Sequence, residues 1–152
     1  MMKKMAGVFL IVQLFAAVAA LAAPPLPAGW HAAEWWDLGG RDRSDVVADF
    51  NGDGTVDIAT VAIRDDRDAM GLLVWLGNPQ GGGKWAVLNE QKIPKSLADF
   101  GLEAVTNDDH PKQSKIVYCL AARECMVFTW DDKAGSYKRG MEARKPASKN
   151  KG

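Results

Sequence analysis

The chain has 152 residues, with 19 basic and 19 acidic side chains in formal balance. That length allows one domain with a real core, and not two. The balance hides an uneven distribution. Residues 23–143 carry 13 basic against 19 acidic side chains, a net of −6, so the body repels phosphate backbones and nucleic acid is a poor partner.

The N-terminus sets the compartment. Lys3 and Lys4 precede a run, 6–19, that is apolar apart from Gln13, and Ala20-Leu21-Ala22 ends it with small residues. This pattern reads as a signal peptide over 1–22, cut before Ala23 because Pro24 disfavours a cut directly before itself. The run is near the shortest that spans a bilayer, roughly 17 residues, so a retained anchor is the alternative. The Pro-rich exit (Pro24, Pro25, Pro27) favours cleavage, and no cysteine near the cut suggests a lipid anchor. The expectation is a periplasmic or secreted protein with no membrane attachment after cleavage. Its single β-rich domain spans 23–143. A basic tail follows over 144–152 (Arg144, Lys145, Lys149, Lys151), expected to be solvated and disordered.

Trp30, Trp35 and Trp36 surround Ala32-Ala33-Glu34. One or two helical turns ending at Gly39-Gly40 are expected here, with the tryptophans packed over the domain; a carbohydrate-stacking platform is the alternative. From Ser44 the pattern changes to short β-type runs at 45–50, 57–63, 71–77, 85–93, 102–106, 115–119, 125–130 and 136–141. The run 71–77 is apolar on both faces, with Leu72, Val74 and Leu76 on one and Leu73 and Trp75 on the other. Such a strand must be covered on both sides. The fold class expected is therefore all-β, either an antiparallel sandwich or two blade-like β-meanders of about 7–8 strands. Asp131 to Gly135 closes the last hairpin, with Gly135 free to take positive φ. Cys119 and Cys125 read as one disulfide in an exported protein; two buried thiols are the alternative.

The most specific feature is Asp49-Phe50-Asn51-Gly52-Asp53-Gly54-Thr55-Val56-Asp57. Oxygen ligands recur at alternate positions: Asp49, Asn51, Asp53, the Thr55 carbonyl and Asp57. Ca2+ takes six to eight oxygens at about 2.3–2.6 Å, and Mg2+ demands stricter octahedral geometry, so three carboxylates and an amide on one tight loop point to calcium. Gly52 and Gly54 let the chain curl. An EF-hand is excluded, because Thr60 stands where its bidentate Glu belongs and the flanks are β-branched. The plain alternative is two Asx-Gly hairpin turns that bind nothing.

The stretch DFNGDGTVDIA resembles the FG-GAP (integrin-α-like, or VCBS-type) calcium loop, D-x-[DN]-x-D-G-x-x-D-[LIV]. The resemblance implies that Asp49, Asn51, Asp53, Thr55 through its carbonyl, and Asp57 are the ligands, with Ile58 as the apolar follower. It spans a hairpin over 45–77. More loosely, 128–139 is similar to the closing hairpin of small exported proteobacterial proteins that carry a single such loop. FG-GAP repeats come in sevens to build a propeller, and this chain has room for about two blades.

Little supports catalysis. His31 and His110 are the only histidines, and neither sits in metal-ligand spacing. Asp108-Asp109-His110-Pro111 reads as an exposed turn. GNPQGGGK (77–84) fails the spacing of a phosphate loop and reads as a hairpin connection. No enzyme is expected. The function expected is a calcium-binding module that binds another protein, with a periplasmic immunity or inhibitor protein against a toxin or hydrolase as the alternative.

Overall fold

Strand formation follows the apolar runs. The computed structural model describes residues 24–34, 36–40, 44–66, 68–120 and 124–143; the segment 1–22 expected to be a signal peptide, Trp35 and the expected basic tail over 144–152 lie outside the described residues. Among the described residues nine strands form: β1 (Trp30–Ala32), β2 (Asp45–Ala48), β3 (Asp57–Arg64), β4 (Ala69–Gly77), β5 (Gly83–Lys92), β6 (Gly101–Thr106), β7 (Ser114–Cys119), β8 (Glu124–Asp131) and β9 (Ser136–Ala143). Strands β2 to β5 run up and down as one antiparallel meander, and β6 to β9 as a second. β1 joins the first sheet by pairing with Ala62–Arg64 of β3, beyond the stretch that β2 occupies. The domain is all-β, as its alternation and turn spacing predict.

One expectation fails. Among the described residues of 30–40 no helix forms. Trp30–Ala32 is a strand, and only a single turn follows, in which Asp37 N–H and Leu38 N–H donate to the Glu34 carbonyl at 3.0 and 3.3 Å. A turn this short has negligible stability of its own. The open edge of β3 offers three residues of ladder and a buried seat for Trp30, and that wins.

Alternation on β3 and β4 divides the apolar residues between two faces. Ala59, Val61, Met70, Leu72, Val74 and Leu76 face the second sheet, where Leu102, Ile116, Tyr118 and Phe128 meet them. On the outer face Ala62 and Leu73 are covered by Trp30, Leu26 and Trp85. Trp30 crosses Gly71 so closely that a Cβ there would lie 2.6 Å from the indole, and the Arg64 guanidinium sits 5.1 Å from the Trp30 ring centre. Trp85 Nε1 donates to the Pro25 carbonyl at 2.8 Å, pinning the incoming chain. The two-sided apolar run of β4 thus has cover on both sides.

The sheets come closest where β2 lies beside β6. Cys119 and Cys125 sit directly opposite one another on β7 and β8 and form a disulfide, with Cα atoms 4.2 Å apart. The bond closes a seven-residue loop, worth roughly 2 kcal/mol on the chain-entropy account, and it fits an oxidising compartment.

Candidate functional site

The loop between β2 and β3 is organised by its own aspartates. Asp49 accepts from Gly52 N–H at 2.6 Å through Oδ1 and from Gly54 N–H at 2.8 Å through Oδ2. Asn51 Oδ1 accepts from Asp53 N–H, and Asn51 Nδ2 donates to Asp53 Oδ2, both at 3.0 Å. Asp53 Oδ1 accepts from Thr55 N–H at 2.7 Å. Gly52 and Gly54 take φ of +77° and +83°, a region that strains any residue with a Cβ. Asp49, Asn51, Asp53 and Thr55 are therefore wound into one curl by local side chain–backbone bonds.

Asp57 has a different position. It is fully buried. Its Oδ2 accepts from Phe50 N–H at 2.8 Å, and its Oδ1 from Gly77 N–H at 2.9 Å, so it clamps the start of the loop to the end of β4. Phe50, also fully buried, drives the same corner into the core between the sheets. Burial pushes the Asp57 carboxyl above its ordinary pKa, and nearby Asp53 and Asp49 add to that, while the two amides oppose it. Asp53 is the reverse case. Slight desolvation raises it, but the Thr55 amide and the Asn51 and Thr55 side chains outweigh this and leave it below the usual carboxylate range. Among the described residues no Lys or Arg pairs with Asp49, Asp53 or Asp57.

The loop is wired to the second sheet as well. Ser114 N–H, at the start of β7, donates to the Asp49 carbonyl at 2.8 Å. Gln113 Nε2 donates to the Asn51 carbonyl at 3.3 Å and to Asp132 Oδ1 at 3.1 Å. Gln113 is buried, and its side chain lies over Gly52, where a Cβ would stand 2.9 Å from Cγ. From β9, Tyr137 feels the charge of Asp57 and Asp49; burial first, and then those two carboxylates, raise its phenol pKa.

All five residues read as ligands thus meet in one hydrogen-bonded unit. Among the described residues no three His, Cys, Asp or Glu side chains converge on one point. Asp49, Asp53 and Asp57 spend lone pairs on amide N–H groups. Each ionised carboxylate offers about four acceptor positions, so those bonds leave capacity for a cation. Gln113 Oε1, beside the loop, and the Tyr137 hydroxyl on β9 are buried without a hydrogen-bond partner. The donor set is all oxygen and fits a hard cation in kind. Gln113 and Tyr137 were not legible as site residues, since each lies more than fifty positions from the loop.

The other residues singled out in the sequence play separate parts. His31 pairs with Asp65 at 2.6 Å on the surface, away from the loop. Asp108 to Pro111 form the turn between β6 and β7, closed by Gln113 N–H donating to the His110 carbonyl. Asn78 to Gly82 form the connection between β4 and β5. Trp30 is packed and Trp36 is exposed. No protein-family model matches the chain, and no curated protein or solved structure matches it.

Proposed function

We propose that this chain is an exported, non-catalytic β-domain that holds one Ca2+ in the Asp49–Asp57 loop and acts by binding another protein. The observation that carries this reading is the position of the loop. It bonds to β4 through Asp57 and Gly77, to the start of β7 through Ser114, and to the β8–β9 turn through Gln113 and Asp132. An ion bound there stabilises the corner that ties both sheets together. Asp49, Asn51, Asp53, the Thr55 carbonyl and Asp57 would supply its ligands. Three carboxylates that pair with no Lys or Arg among the described residues supply the driving force. The likeness to FG-GAP loops and the disulfide support the ion and the compartment respectively. The ion's work is structural, so the binding surface lies elsewhere on the domain.

The test is thermal unfolding with calcium and with a chelator. At calcium concentrations about a hundredfold above its Kd the gain is about 2.7 kcal/mol, on the order of 10 °C for a domain of this size. Asp53→Ala removes most of that gain. Identical melting curves in the two conditions sink the calcium reading. The binding role is checked by pulling the tagged protein from its own periplasm: a stoichiometric protein complex is expected, and recovery of the domain alone counts against it.

A further inference from the structure

The two long sides of the sandwich differ. On one, β2 lies beside β6. On the other, β5 and β9 flank a groove of about 330 Å³, floored by Leu76, Ala86, Leu88, Phe128 and Trp130. Each flank is the last strand of its sheet, and among the described residues neither pairs with a further strand. Ala86, Leu88 and Trp130 are only partly buried although they pack on the main core. The core is thus only partly covered along this side, beside two rows of main-chain groups at sheet edges.

The groove has one sign of charge. Lys84 and Arg139 line it, no Asp or Glu does, and neither cation forms an ion pair among the described residues. The register places Lys84 opposite Leu76 and Arg139 opposite Phe128, so both cations stand on the core-facing side of their strands. Cations turned inward on edge strands repel indiscriminate sheet pairing. They also act as a filter, since a strand that carries carboxylates at matching positions neutralises them and one without does not.

We infer that the β5–β9 groove is the docking site of an extended, acidic peptide segment of a partner protein. The segment adds as a strand to β9, sets alternate apolar side chains on the Leu88–Phe128–Trp130 floor, and presents carboxylates to Lys84 and Arg139. This deepens the protein-binding reading above and rests on it. The pairing edges select an extended backbone over a helix, and the charge selects an acidic one. The acidic edge of a second copy, where Asp45 and Glu103 stand, is a competing occupant that the test separates.

The probe is a displayed library of random nine-residue peptides, selected against the full chain as its host exports it. Enriched peptides are expected to alternate apolar residues with Asp or Glu, and to slow amide exchange along Ser136–Ala143. Lys84→Glu with Arg139→Glu should weaken them about tenfold or more. Peptides with Lys in place of their acids should bind that variant. Lys84 and Arg139 are exposed, and an unchanged melting temperature certifies the variant's fold. Peptides without acids, equal binding to the variant, or protection confined to other strands overturn the groove while leaving the protein-binding reading intact. Self-association that the double reversal abolishes overturns the peptide in favour of the second copy. No enrichment over the carrier in any round overturns the groove and counts against the protein-binding reading as well.

Discussion

The Asp131–Gly135 turn and the Asp49–Asp57 loop are built from the same parts. Each begins with an aspartate that accepts N–H groups from the residues just ahead: Lys133 and Ala134 on Asp131, Gly52 and Gly54 on Asp49. Each turns on glycine at positive φ, +59° at Gly135 against +77° and +83° at Gly52 and Gly54. They meet through Gln113, which reaches from Asn51 to Asp132. Their charge is handled in opposite ways. Asp131 pairs with Lys138 of its own hairpin, and that lysine holds its carboxyl below the usual range. The loop has three carboxylates and, among the described residues, no such partner, and burial pushes one of them, Asp57, upward. One turn is complete in itself, and the other is organised around a charge it does not neutralise.

The largest effect expected from breaking this contrast is at Asp57. Asp57→Ala leaves Phe50 N–H and Gly77 N–H buried without acceptors, at about 1–3 kcal/mol each. The expected loss is about 3 kcal/mol, read as a lower urea midpoint at constant slope. A midpoint within error of the parent would show that the clamp to β4 is not structural.

Gly52→Ala comes next. It forces a left-handed conformation on alanine and sets a Cβ 2.9 Å from Gln113 Cγ, for a cost of about 2 kcal/mol. Gly54 has the same φ sign, but a methyl group there would meet no atom within 4 Å, so Gly54→Ala should cost about 1 kcal/mol. Equal losses at the two glycines would separate the loop from the second sheet.

Acid titration sharpens the comparison further. Because Asp57 titrates higher folded than unfolded, the folded state binds more protons between 3.8 and its raised value. Its unfavourable contribution is fully present above that window and disappears as pH falls through it. Asp53 and Asp131 run the other way: their contribution is present above 3.8 and lost as pH falls through their lowered values. The calcium-free protein should therefore first gain stability on acidification and then lose it. A melting-temperature difference from Asp57→Asn that does not vary with pH would remove this account. Asp131→Asn is the smallest expected change, because its partner Lys138 is exposed and the pair is screened from that side, and an asparagine oxygen still accepts from Lys133 and Ala134 N–H; its melting temperature should stay close to the parent's at neutral pH.

Most of the β-architecture was legible because it is written locally. Short β-branched runs mark β3 and β7, glycine and aspartate mark the turns, and the spacing of Cys119 and Cys125 anticipates one disulfide across a short loop. β1 was not legible, since Trp-His-Ala beside Trp-Trp reads as a turn of helix and becomes a strand only when Ala62–Arg64 are in place. The loop's internal winding followed from its glycines and alternating oxygens. Its partners did not: Gln113 and Ser114 reach it only after the second meander has folded over the first, and no local pattern announces that.

The aromatic pairs give each sheet its own optical reporter. Trp75 and Trp85 meet edge to face within the first sheet, with centroids 5.6 Å apart and planes at 61°. Trp130 and Tyr137 do the same within the second, at 5.2 Å and 77°. Indoles this close couple their electronic transitions, so Trp75 and Trp85 should add an exciton couplet to the far-ultraviolet dichroism that only an intact β4–β5 pairing preserves. Trp130 and Tyr137 sit on the hairpin that approaches the aspartate loop, and energy transfer from Tyr137 to Trp130 depends on the β8–β9 pairing that holds them together. Followed together during unfolding, the two signals distinguish a domain that melts as one unit from one whose halves part first.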